Sequence, residues 1–344
     1  SLIGLFIPLY LLKELNYSLN QVLIFYITLY VIFAIFSPVA AKISSKISFK
    51  YSILISIPIY LSFYILLYTL KQYNWPLSFI AFVLAIANGL FWIPFHTEFA
   101  KFSDHKHRGE EVGVWYTIAG LIGLSGPLLG GLILTYLNFN FLFIIVSILL
   151  LLSVIPLFFA QQIHTKAKFS IKYIFKKSHF KDLLAFIGYG ASVDTAAIIL
   201  PIFIFSIIAR YLYLGAISSG SSLIVVLFTY FIGRSSDSFN KKNLIRAGSI
   251  LVAICWFIFL FAKSAMQLFA TVVFFGVSFT MVDVPFSAMT YNKANKSNVI
   301  EYLVFREISL CIGRILLFAI VLLTAKLTSG FIFSGITSLF YMLF

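Results

Sequence analysis

The chain of 344 residues is 61% hydrophobic and only 10% charged, where soluble domains run at roughly 45–50% and about 25%. Its apolar runs repeatedly exceed the ~20 residues that cross ~30 Å of hydrocarbon, which excludes a soluble protein built on ordinary cores. The formal net charge of +14, from 25 Lys and Arg against 11 Asp and Glu, reads as loop charge at a membrane surface and not as a nucleic-acid site.

Charged and turn-rich segments divide the sequence into about twelve apolar blocks, taken here in chain order. Helix 1 is predicted from the start to about 12, helix 2 over about 20–41 and helix 3 over about 51–70. Helix 4 follows at about 77–100, helix 5 at about 111–135 and helix 6 at about 141–160. A basic stretch, 161–182, separates them from helix 7 at about 183–208, helix 8 at about 214–233 and helix 9 at about 244–262. Helices 10, 11 and 12 fall at about 266–291, about 301–325 and from about 330 to the end. The expected fold is therefore all-α: a six-helix bundle at 1–160, a basic cytoplasmic linker at 161–182 and a second six-helix bundle at 183–344. The chain opens on Ser1-Leu2-Ile3-Gly4, already apolar and without a charged leader. The first and last helices are expected to be incomplete. Cys255 and Cys311 both lie in apolar stretches, with no disulfide framework and no metal-ligand spacing.

Charge bias orients the bundle. One set of loops holds Lys42, Lys46, Lys50, Lys101, Lys106, Arg108, six lysines from Lys166 to Lys181, then Arg234, Lys241, Lys242, Arg246, Lys293 and Lys296, 18 in all. The other set holds five: Lys13, Lys71, Arg210, Lys263 and Lys326. The first set, with both termini, is expected on the cytoplasmic side of the cell membrane. An internal repeat supports the two halves. Pro94-Phe95 recurs as Pro285-Phe286 and Glu110 as Glu301 at an offset of 191; the 41–50 loop recurs as 233–242 at 192, and Pro8 as Pro201 at 193.

Ionisable residues inside apolar helices are costly unless they face protein or water, so they mark candidate sites. Helix 4 carries His96 and Glu98, helix 7 Asp194, helix 10 Asp283, and helix 11 Arg306, Glu307 and Arg314. Helices 3, 6 and 12 carry none. Asp194 and Arg314 are too deep to reach either surface. Asp283 shares a stripe with Thr280, Ser287 and Tyr291 at helical spacing. Glu307 and Arg314 share a face but stand about 10 Å apart along the axis, so Arg314 needs Asp194 or Asp283 as its anion. A structural ion pair between the halves is the plainer reading of that set. Asn88, Trp92 and His96 follow at i, i+4 on one face of helix 4, as a cavity wall or as packed core. Glu98 reads as a structural partner of Lys101, and Ser218 to Ser222 in helix 8 as a small-residue packing seam.

Between helices 8 and 9 stands Gly233-Arg-Ser-Ser-Asp237-Ser-Phe-Asn240-Lys241-Lys242, a glycine, an acid four residues on and a closing basic pair. It resembles the signature loop of the major facilitator superfamily. In the first copy of the loop Ala41 and Ser45 stand where the family has Gly and Asp, a departure. Helix 5 carries Gly126-Pro127-Leu-Leu-Gly130-Gly131, similar to the Gly-Pro motif of the family's antiporters, where glycines admit a neighbouring backbone. The resemblance covers the whole chain. It implies two bundles that rock around a midplane site, with helices 1, 4, 7 and 10 lining a cavity that Asp194, Asp283, Arg314, Glu307, His96, Trp92 and Asn88 would serve. It implies a monomeric secondary transporter of a small solute, tilted towards proton-coupled antiport and efflux. Asp194 or Asp283 is then the proton carrier to expect, because burial disfavours a charged carboxylate. An uncoupled facilitator, a symporter of a sugar or organic anion, and a sensor on the same fold remain alternatives. No cofactor, metal site or nucleic-acid partner is expected. No Ser-His-Asp grouping, His-Glu-x-x-His run or cysteine cluster suggests an enzyme.

Overall fold

The computed structural model describes residues 2–104, 106–159, 179–236 and 240–344. Twelve helices, α1 to α12, occupy these residues, and nine of them are long and apolar enough to cross a membrane. α1 is Ile7–Leu9 continued by a wider turn, Tyr10–Glu14; α2 is Leu19–Ile47, α3 Phe49–Tyr73, α4 Leu77–Phe102 and α5 Arg108–Tyr136. α6 is Phe139–Leu152 with a short continuation, Ile155–Phe159. α7 is Phe180–Ile208, α8 Tyr211–Ser236, α9 Lys241–Phe259, α10 Ala265–Asn295, α11 Val299–Thr324 and α12 Leu327–Leu343. Apolar side chains leave the backbone no partner in lipid but itself, and helix formation pairs the N–H and C=O groups of each segment's interior.

The starts are set by local chemistry. Ser18 and Gln21 form a reciprocal capping box at α2, and Ser264 and Gln267 form another at α10. Asn240 caps α9, its side chain accepting from the Lys242 N–H at 3.0 Å. Prolines interrupt several interiors, and the carbonyl each one frees needs another donor. At Pro94 the donor is Ser52 of α3, whose hydroxyl reaches the Leu90 carbonyl at 2.9 Å. In α7 the chain opens into a π turn at Thr195–Ile199, immediately after Asp194 and before Pro201. Pro201 has no N–H for the carbonyl of Ala197, and the widened turn takes up the mismatch.

Two expectations change here. The segment 41–50 is not a loop: α2 runs through Ala41 and Ser45 to Ile47, and α3 begins at Phe49. Nothing in Ala-Lys-Ile-Ser-Ser-Lys breaks a helix, and the Ser45 hydroxyl folds back onto the Lys42 carbonyl at 2.9 Å. α7 starts at Phe180, three residues before the expected 183, while 161–178 of the basic linker lie outside the described residues.

The halves meet along two antiparallel seams. α5 and α8 are in backbone contact: a methyl group on Gly131 would lie 2.7 Å from the Tyr211 carbonyl oxygen, and Gly215 lies against the Pro127 carbonyl. α2 and α11 meet through side chains instead, with Tyr26 and Tyr30 stacked on Phe318 at 5.3 and 6.1 Å. Both ends of the bundle are joined across the halves. At the end carrying Lys101, Lys293 and Lys296, called the basic face below, Asn295 Nδ2 donates to the Ala100 carbonyl at 2.6 Å. At the opposite face the Tyr211 ring meets Phe6 and its hydroxyl reaches Glu14 at 3.4 Å. Outward faces of α3, α6, α9 and α12 are apolar and exposed, as a lipid-facing perimeter requires.

Candidate functional site

The deepest polar pair lies within the second half, between α7 and α11, and not between the halves as expected; Tyr30 of α2 is what the first half adds to it. Asp194 stands 14 residues from either end of α7 and is 3% exposed. Arg314 of α11 brings its Nε to 3.2 Å from Asp194 Oδ1. The ring of Tyr30 lies under the guanidinium, 4.9 Å from centroid to Cζ. Arg314 therefore takes Asp194 and not Asp283 as its anion. The pair is incomplete: Asp194 Oδ2 has no hydrogen-bond partner, and Arg314 Nε approaches without hydrogen-bond alignment. A cavity of about 390 Å³ adjoins it, lined among others by Asp194, Tyr26, Tyr30, Asn88 and Pro127. Asn88 also accepts the Tyr60 hydroxyl at 2.7 Å.

Asp283 sits elsewhere, on a stripe of α10 whose members each reach another helix. Thr280 meets Thr229 of α8 at 3.4 Å, Ser287 meets Tyr116 of α5 at 3.0 Å, and Tyr291 meets His96 of α4 at 2.8 Å. Asp283 itself accepts a short hydrogen bond from the Tyr189 hydroxyl of α7. It lines a second cavity of about 390 Å³ with Ser218, Ser221, Ser222, Thr229 and Thr280. Three of the α8 serines thus face a cavity, and Ser219 alone serves the seam, accepting from the Leu128 N–H at 3.0 Å.

His96, Glu307 and Trp92 form a third group, towards the basic face and apart from the Asp194 pair. Arg306 donates to Glu307 Oε1 in a buried ion pair, and His96 Nε2 lies 4.0 Å from the same oxygen. Trp92 stacks on His96 at 5.5 Å, and Trp115 meets it edge-on at 6.4 Å. Glu98 makes no ion pair with Lys101, which lies 5.9 Å over the Phe49 ring.

Of the helix-5 motif, Gly130 packs on α1 and Gly131 on α8, while Gly126 is buried and Pro127 lines the Asp194 cavity. Of the loop motif, Lys241 and Lys242 open α9 and Gly233 lies within α8; Asp237 lies outside the described residues.

Two residues counted as loop cations are fixed inside the protein. Arg108 is 1% exposed and donates to Ser103, to the Ala100 carbonyl and, at 2.6 Å, to Asn292 of the other half. Lys293 bonds Asp182 at 2.7 Å and lies 3.4 Å over the Phe344 ring. The sequence hid the tyrosine partners Tyr30, Tyr116 and Tyr189 among 19 tyrosines. Their position within helical reach of a buried acid on a facing helix was the only signal. Among the described residues no group of His, Cys, Asp or Glu is placed to hold a metal ion, and both cysteines are buried and free.

Comparison with known proteins fits this architecture. The chain is 24% identical over 253 residues to YqgE of Bacillus subtilis (strain 168), described as an uncharacterized protein; the alignment covers 70% of this chain and 59% of that relative. The fold superposes on the crystal structure of the human organic anion transporter MFSD10 (TETRAN) with a TM-score of 0.68, over 99% of this chain and 89% of that one. At 11% identity that likeness concerns the fold. The sequence profile of the Major Facilitator Superfamily matches residues 1–203. With more than half of the chain matched and two six-helix halves enclosing buried charge, this multi-pass membrane protein belongs to the major facilitator superfamily.

Proposed function

We propose that the chain is a secondary transporter that exchanges a small solute for protons by alternating access, with Asp194 and Arg314 as the coupling pair. The observation that carries this reading is the free oxygen of Asp194. One carboxylate oxygen is held near the guanidinium while the other is buried without a hydrogen-bond partner, on a residue that lines the adjoining cavity. A charge left unpaired in a dry interior costs several kcal/mol. An arriving proton or polar solute relieves that cost and competes with Arg314 for the carboxylate, so occupancy and pairing are linked. The π turn that follows Asp194 gives α7 a wider, less regular segment at the same depth. Solute would enter the cavities flanking the pair where the halves meet. The Gly-Pro element of α5 and the basic loops add the lean to export and the cytoplasmic placement of the basic face.

The test is dissipation of an imposed pH gradient in proteoliposomes, read by a trapped pH dye while a solute library is added. At least one solute should collapse the gradient in the unaltered protein. Asp194→Asn should abolish that collapse while still exchanging labelled solute across the membrane. Solute flux that ignores the pH gradient would indicate an uncoupled facilitator instead.

A further inference from the structure

The cavity around Asp283 has a chemical bias of its own. Four of its hydroxyls, on Ser221, Ser222, Thr229 and Thr280, donate to backbone carbonyls of their own helices at 2.7 to 2.9 Å. Their protons are committed, so they turn lone pairs towards the space between α8 and α10. Asp283, half-buried, adds a carboxylate to that wall. Its hydroxyl donor is Tyr189, while Tyr116, hydrogen-bonded with Ser287, joins the lining of the cavity. Phe275 and Phe279 add aromatic rings to the lining, 5.4 Å apart and stacked.

The charge count points the same way. In the central section Arg314 is paired with Asp194, and Arg306, the cation that acts on Asp283, is committed to Glu307. No cation lies within 4.0 Å of Asp283 among the described residues. One carboxylate is left over in a cavity that offers acceptors and π faces. An anion there would meet lone pairs and a like charge. A cation with N–H donors would meet a partner for each of them.

We propose that this cavity is a recognition site for an organic monocation, an aryl-alkyl ammonium that places its N–H donors on Asp283 and the α8–α10 hydroxyls and its ring against the stacked pair Phe275 and Phe279. A cavity of about 390 Å³ holds one such molecule of modest size. The inference rests on the chain being a solute carrier. Binding is read here without flux, so a failure of transport and a failure of cation selection are separate results.

The experiment compares three near-isosteres on the purified protein by thermal shift and tryptophan fluorescence: 2-phenylethylammonium, 2-phenylethanol and 3-phenylpropionate. The ammonium should bind saturably and the other two at least about ten-fold more weakly, the scale of one lost charge-assisted hydrogen bond. Asp283→Asn should remove the preference, and Ser206→Ala, an exposed position on α7, should leave it in place. Thr280→Val keeps the side-chain volume and deletes one acceptor, so it should weaken the ammonium several-fold even where Asp283→Asn does not fold. Equal or tighter binding of the carboxylate, an unaltered preference in Asp283→Asn or Thr280→Val, or no binding by any of the three would overturn the assignment.

Discussion

A guanidinium and a carboxylate buried together cost far more when one is removed than when both are. Breaking a buried pair costs about 3–5 kcal/mol, whereas neutralising both partners is close to neutral. Arg314→Ala should therefore lower the detergent melting temperature, and adding Asp194→Asn should restore most of it. Adding Asp283→Asn to Arg314→Ala should not, because Asp283 is served by Tyr189 and not by Arg314. Equal rescue by both would show the geometry of the pair to be wrong. At this scale the sequence was informative about acids and bases and silent about their partners. An ionisable residue in an apolar run is conspicuous, which is how Asp194, Asp283 and Arg314 stood out. Which acid meets the arginine depends on rotation of α7 and α10 about their axes, and neither leaves a trace in spacing. Arg108 was misread for the opposite reason: a cation beside a helix start resembles a loop charge until the fold buries it against Asn292.

Among the helices, the seam between α5 and α8 depends on glycines that differ sharply in what they touch. Gly131 has the Tyr211 backbone at contact distance, whereas a side chain on Gly123 would meet nothing within 4 Å. Gly131→Leu should push the seam apart and abolish flux while the protein still inserts; Gly123→Leu should transport normally. Loss of flux in both variants would mean that bulk, not this seam, is what α5 cannot tolerate. Helix existence and order were legible because apolar length is a strong signal. The breaks inside helices were not. The π turn of α7 and the interruption after Leu152 of α6 occur within runs as apolar as the rest. The extension of α2 by about six residues and of α3 by about two towards each other came from a largely polar stretch with adequate helix propensity, which a hydropathy reading discards.

For the whole molecule, an offset of 191 to 193 between matched motifs suggested two related halves, and the structure gives several of the matched residues like places. Pro94 and Pro285 both lie inside helices, and Glu110 and Glu301 both lie in first turns. The inward placement of the basic face is an expectation from charge bias alone and has its own test. Lys71 and Lys296 are exposed at opposite ends of the bundle, and both native cysteines are buried. Single cysteines at these positions should react with an impermeant maleimide from opposite sides of the membrane, the one at 71 from outside the cell. Labelling of both from one side would contradict the helix count, and reversed labelling would invert the orientation.

The aromatic group at the basic face has an optical consequence. Trp92 and Trp115 flank His96 at 5.5 and 6.4 Å, and the same imidazole is tied to Tyr291 of the other half. Indole emission is quenched by a nearby imidazole, most strongly by a protonated one, and the effect fades within a few ångströms. Any motion that draws α4 away from α10 at this end changes both the imidazole's hydrogen bond and its distance from the two indoles. Of the other two tryptophans, Trp256 is sealed in the core of the second half and Trp75 lies beyond α3 at the opposite face. The protein thus carries a native fluorophore pair at the contact between its halves, so that the parting of that contact is visible in unlabelled protein as a change in emission.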